Sequence, residues 1–155
     1  MEKARIYAEI KALEQCGRYR MEHMFLQHGN TTVFEHSVHV ADVCLHLAHK
    51  LHLDVDEAAL IRGALLHDYF LYDFHQMGRG RMLHCIRHPR KALQNARQDF
   101  ALGVVEEDII LRHMFPVTPI PPVCLEAWLV CLVDKYCAAE ETAETFFQRH
   151  FLRRA

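Results

Sequence analysis

The chain has 155 residues, 51% of them hydrophobic and 25% charged, which suffices for one globular domain with its own core and no disulfide staples. A net charge of −2 argues against a nucleic-acid coat or a general membrane-surface binder, and no apolar run approaches the roughly 18 residues of a membrane span. Thirteen histidines invite a metal hypothesis. The six scattered cysteines form no CxxC pair and read as reduced thiols in a cytoplasmic protein.

Helical periodicity dominates from the start. A charged amphipathic helix, not a signal peptide, covers roughly 2–16, with Gly17 as its stop. A short helix follows around 18–27, and His28-Gly29-Asn30 is a turn. Thr32 and Glu35 form a capping-box pattern that opens a long helix to about Leu51. Asp54 and Glu57 repeat that signature for a helix running to His67-Asp68. The stretch 69–87 is the least regular, with Tyr69, Phe70, Tyr72 and Phe74 followed by Gly78 and Gly80. Pro89 suits the first position of the next helix, which leaves His88 at its N-cap. A short helix spans about 105–114, and PVTPIPP reads as a rigid extended link. An apolar helix from about Val123 to Ala139 and a more charged terminal helix complete an all-α bundle of seven or eight helices.

Several polar residues fall on apolar helix faces. His36 shares a face with Val33, Val40, Val43, Leu47 and Leu51; a satisfied core histidine is the alternative reading. His46 and His49 fall on the polar side, and His39 sits at the edge. His67 and Asp68 close a largely apolar helix, seven residues after Leu60 and Ile61, so both point inward. A buried His–Asp hydrogen bond would explain that pair equally well. Asp134 ends the apolar run AWLVCLVD, and its neighbour Lys135 cannot reach it on the same face. A buried carboxylate costs several kcal/mol unless a cation meets it, so a metal or a basic side chain is expected.

In the segments FEHSVHVADVCLHLA, IRGALLHDYFLYD and LVCLVDKYC, these residues read His36, then His67-Asp68, then Asp134. This H…HD…D pattern resembles the HD-domain superfamily of metal-dependent phosphohydrolases, in particular small stand-alone bacterial members. It covers about residues 30–140. The resemblance implies a single HD-domain bundle over 1–155. It also adds His88 and His113 as ligands of a dinuclear site. His36, His67, Asp68 and Asp134 would hold one ion, and Asp68, His88 and His113 the second. The ligand set, with no thiolate, suits one or two divalent transition-metal ions, Fe, Mn, Co or Zn.

The activity implied is hydrolysis of a small phosphoester or phosphoanhydride such as a nucleotide by metal-activated hydroxide, with Asp68 as the catalytic carboxylate. The partner expected is thus a small phosphorylated substrate, with no nucleic-acid polymer and no membrane. From His75 to Gln98 the chain carries six basic residues and no acid, and arginine is suited to bidentate phosphate contact. Arg79 and Arg81 are the expected substrate contacts, with Lys91 and Lys135 in second place. Many family members follow the HD pair with Gly-Lys, where this chain has Tyr69-Phe70. The same ligand order occurs in HD-type di-iron oxygenases, which is the alternative reading. A metal-binding regulatory module without turnover is the third.

Overall fold

The computed structural model describes residues 2–27, 29–75 and 81–151, with side chains except at 81, 82 and 149–151. Among the described residues there are seven helices and no strand, only an isolated bridge between Leu26 and Thr32. Helix α1 (Glu2–Glu14) buries Ile6, Ile10 and Leu13 at helical spacing and gives way to Gly17 at φ +60°. A Cβ on Gly17 would lie 2.5 Å from that of Asp99, so close approach as well as backbone conformation requires glycine here. A 3-10 helix, Tyr19–Met24, stands where the short second helix was expected.

Helix α2 (Val33–Lys50) opens with the Thr32/Glu35 capping box, each side chain bonding the other residue's main-chain N–H. Its buried face carries Val33, His36, Ser37, Val40, Ala41, Cys44, Leu45 and Ala48, whereas Leu51 is exposed. The face is therefore rotated from the one through Val43, Leu47 and Leu51, with Val43 and Leu47 only partly buried at its edge. Helix α3 (Glu57–Leu66) is capped by Asp56, which accepts from the N–H groups of Ala58 and Ala59, and not by Asp54. Seven of its ten residues are buried, and it packs on α1, α2, α5 and α6. Its C-terminal end thereby delivers His67 and Asp68 to the middle of the molecule.

Helix α4 (Arg81–Asp99) starts two turns before the expected boundary and carries Pro89 in its interior. Proline removes one intrahelical hydrogen bond. Tertiary contacts outweigh that loss: the His84 ring stacks on Phe74 at 4.0 Å and packs edge-on against Phe70 and Tyr72. Helix α5 (Val104–Arg112) lies against α3, where Gly63 admits the Ile109 side chain. Residues 113–120 turn instead of extending, with Phe115 N–H bonding Arg112 O and Thr118 N–H bonding Met114 O. Helix α6 (Leu125–Phe151) runs unbroken through the boundary expected near Ala139. No helix of the described residues is long and apolar enough to cross a membrane.

Candidate metal centre

Five helices converge on one buried polar cluster. Helix α2 supplies His36, the end of α3 His67 and Asp68, α4 His88, the end of α5 His113, and α6 Asp134. All six are at most 6% exposed, so their charges must be balanced locally. They fall into two groups, His36/His67/Asp134 and Asp68/His88/His113, and within each the ligand atoms lie within 4.8 Å of one another. Asp68 connects the groups. Its Oδ1 is 3.1 Å from His88 Nε2 and 3.5 Å from His113 Nε2, while its Oδ2 is 3.5 Å from His67 Nε2. Asp134 Oδ1 sits 3.1 Å from His36 Nε2 and 3.7 Å from His67 Nε2.

Main-chain carbonyls orient three of the rings. The Nδ1 atoms of His67, His88 and His113 bond the carbonyls of Ala64, His84 and Ile110 at 2.7, 3.1 and 2.9 Å. With the proton on Nδ1, each neutral ring turns an Nε2 lone pair toward the centre, as a metal ligand must. Among the described residues, His67 Nε2 and Asp68 Oδ1 are buried without a hydrogen-bond partner. Buried polar atoms are seldom left so unless something else satisfies them. Four imidazoles and two carboxylates, with orphaned ligand atoms aimed at a shared centre, fit a divalent transition metal. His36 differs in that a carboxylate orients it, Nδ1 lying 3.1 Å from both oxygens of Glu141.

The electrostatics select for cations. Burial opposes charge on His36, but hydrogen bonds to Asp134 and Glu141 outweigh it and hold the imidazole up to about 10. Burial likewise opposes charge on Asp68 and Asp134. The surrounding histidines nonetheless hold both carboxyls well below the usual carboxylate range. Burial also pushes His113 down, only partly offset by its bond to Asp68. Among the described residues, neither Asp68 nor Asp134 is paired with Lys or Arg. His67 and His113 are also the C-caps of α3 and α5, so the partial negative ends of two helices face the site.

One side of the cluster opens into a cavity of about 580 Å³, walled by Phe74, His84, Met114 and Val117 and reaching Asp68, His88, His113 and Asp134. Lys135 lines it too, but its ammonium bonds His113 O at 2.7 Å, Cys131 O at 2.8 Å and Cys131 Sγ at 3.4 Å. Those three acceptors use its three donors. Lys135, expected as a substrate contact, thus stands on the cavity wall and braces the turn that carries His113. Lys91 is exposed on α4, bonded to Gln94, and does not line the cavity. Arg79 lies outside the described residues, as does the side chain of Arg81, whose backbone opens α4.

Three residues that the sequence reading passed over complete the site. Glu141 orients His36, and it stands seven residues after Asp134 on the same face of α6. Asn95, seven after His88, donates to the carbonyls of Tyr69 and Phe70 at 3.0 and 2.9 Å and so pins the turn that follows Asp68. A spacing of seven from a proposed ligand is the signal that would have found both. Gln27 donates from Nε2 to Asp68 Oδ2. It precedes the first long helix, and no periodicity marks it.

A family model described as HD domain matches residues 33–139. No curated protein and no solved structure matches the chain.

Proposed function

The chain belongs to the HD-domain family, and from that premise we propose that it is a metal-dependent phosphohydrolase acting on a small phosphoester or phosphoanhydride. Domains of this family are generally metal-dependent hydrolases. The observation that carries the reading is Asp68, whose two oxygens face histidines of both groups. A carboxylate so placed would be shared by two ions: one with His36, His67 and Asp134, the other with His88 and His113. Divalent Fe, Mn, Co or Zn held there would lower the pKa of water and offset charge on a phosphoryl group.

The chain's own residues then do the rest. The carbonyl-anchored rings keep their lone pairs in place, and Gln27 holds the Asp68 carboxylate in one orientation. Lys135 secures the carbonyl of His113. The cavity walls of Phe74, His84, Met114 and Val117 limit water around a substrate of nucleotide size or smaller. His84 and Cys85 line that cavity, and Arg79 and Arg81, earlier in the same acid-free basic segment of the sequence, are the proposed phosphate contacts. Six free cysteines accord with a reducing, cytoplasmic setting.

Phosphate release from a nucleotide panel in the presence of Mn²⁺ or Fe²⁺ tests this. Wild type is expected to turn over at least one member, and Asp68→Ala to abolish turnover without unfolding. Metal-loaded wild type that is inert across the panel would sink the reading. One observation favours the di-iron oxygenase instead: among the described residues lining the cavity, the one Lys or Arg has its donors engaged. A coupled-iron spectrum in anaerobically prepared protein, without phosphate release, would establish that alternative.

A further inference from the structure

Helix α6 shows an uncharged outer face. Every exposed position between 125 and 139 is apolar: Leu125, Trp128, Leu132, Tyr136 and Ala139, with Ala143 continuing the row. Leu132 and Tyr136 are 62% and 58% exposed, and Val123 just before the helix is 74% exposed. At 3.6 residues per turn the six helical positions fall within about 80° of arc and extend about 27 Å along the axis. The outward positions of α4 are mixed by contrast, with Leu83 and Ile86 followed by Arg87, Arg90, Lys91, Gln94, Arg97 and Gln98. A surface helix normally presents polar side chains outward, and a contiguous apolar stripe marks an interaction surface.

The order of sizes along the stripe identifies what covers it. Bulky side chains occupy 125, 128, 132 and 136, small ones 139 and 143, and Phe146, 54% exposed, ends the row. We infer that α6 pairs antiparallel with α6 of a second copy of this chain, about a two-fold axis between residues 135 and 136. In that register Trp128 lies over the partner's Ala143 and Leu132 over the partner's Ala139, each contact occurring twice, with Tyr136 beside the axis. Phe146 would meet the partner's Leu125 at the rim. Large side chains set against alanines let two helices approach to the 8–10 Å of ordinary helix packing. A helix meeting an unrelated surface has no need of such complementarity between its own two halves.

The area is sufficient. Five large side chains at roughly half exposure, with the two alanines, offer about 600 Å² per copy, on the order of 1,200 Å² in all, which reaches the range of specific interfaces. The pairing also has a consequence for the metal centre. Trp128 packs edge-on against Phe115 at 5.5 Å, and Lys135 beside the axis bonds His113 O. The dimer thus braces the turn that carries His113.

Sedimentation of the full chain over a dilution series tests the register. Wild type is expected to be a reversible dimer at about 100 µM, and Leu132→Glu or Ala139→Lys to raise the dissociation constant at least about 100-fold. Both positions are exposed, so each variant should keep the wild-type circular dichroism. Mixing the two variants in equal amounts should restore a dimer, because position 132 of one copy faces position 139 of the other. A monomeric wild type, a dimer that Leu132→Glu leaves intact, or a mixture that stays monomeric would each overturn the proposal.

Discussion

His88 Nε2 and His113 Nε2 lie 2.8 Å apart in a buried site, while the other nitrogen of each ring bonds a main-chain carbonyl in its own helix. Either a proton or a cation must stand between two ring nitrogens at that distance. One ion could take both rings as ligands in place of the shared proton.

A bound ion should accordingly stabilise the fold. At about 100 times its dissociation constant, one ion adds about 2.7 kcal/mol. Thermal unfolding with and without chelator measures this. Identical midpoints in chelator and in saturating Mn²⁺ or Fe²⁺ would count against the metal centre.

Asp68→Asn keeps the side-chain shape and removes the charge that faces both groups. Metal content is expected to fall, with the His88/His113 side losing its only carboxylate within the group. Metal analysis of the purified variant reads the outcome. Unchanged stoichiometry would mean that Asp68 joins the two groups in space only.

Glu141→Gln should lower metal affinity by about 10–100-fold, because a carboxylate behind a ligating histidine fixes its ring and raises its basicity. The carboxylate lies 3.1 Å from His36 Nδ1, and no ligand atom is removed. Competition with a chelator of known affinity gives the ratio, and a ratio near one would assign Glu141 a packing role.

The metal-free protein should lose stability as pH rises. His36 is held up to about 10 in the fold against 6.5 in the unfolded chain, chiefly by Asp134 and Glu141 working against burial. Its contribution is therefore fully present below about pH 6.5 and is lost as pH climbs toward 10. Unfolding in chelator across pH 6–10 checks the sign. Metal should reverse the trend, since binding displaces that proton and tightens with pH.

Asn95→Leu removes the amide that holds the carbonyls of Tyr69 and Phe70. Two buried acceptors then lose a partner, at about 1–3 kcal/mol each. Denaturant unfolding measures the loss. Because that turn directly follows Asp68, metal affinity should fall with it, which a purely structural role elsewhere would not produce.

Local chemistry determined much of this protein within the sequence. Thr32 and Glu35 cap α2 reciprocally, and helical phasing turned His36, His67, Asp68 and Asp134 inward, because both effects act over one or two turns of chain. The tertiary structure decided what neighbouring residues cannot. Pro89 sits inside α4 because the ring of His84, five residues earlier on the helix, packs against Phe74. Asp56 displaces Asp54 as cap where its own N–H meets Glu126 from α6. The approach of His88 to His113 spans 25 residues, and that of His36 to Glu141 spans 105. Periodicity reports which side of a helix avoids water, but not which other helix it meets there. That choice belongs to packing around α3, and packing is what makes one centre of ligands drawn from five helices.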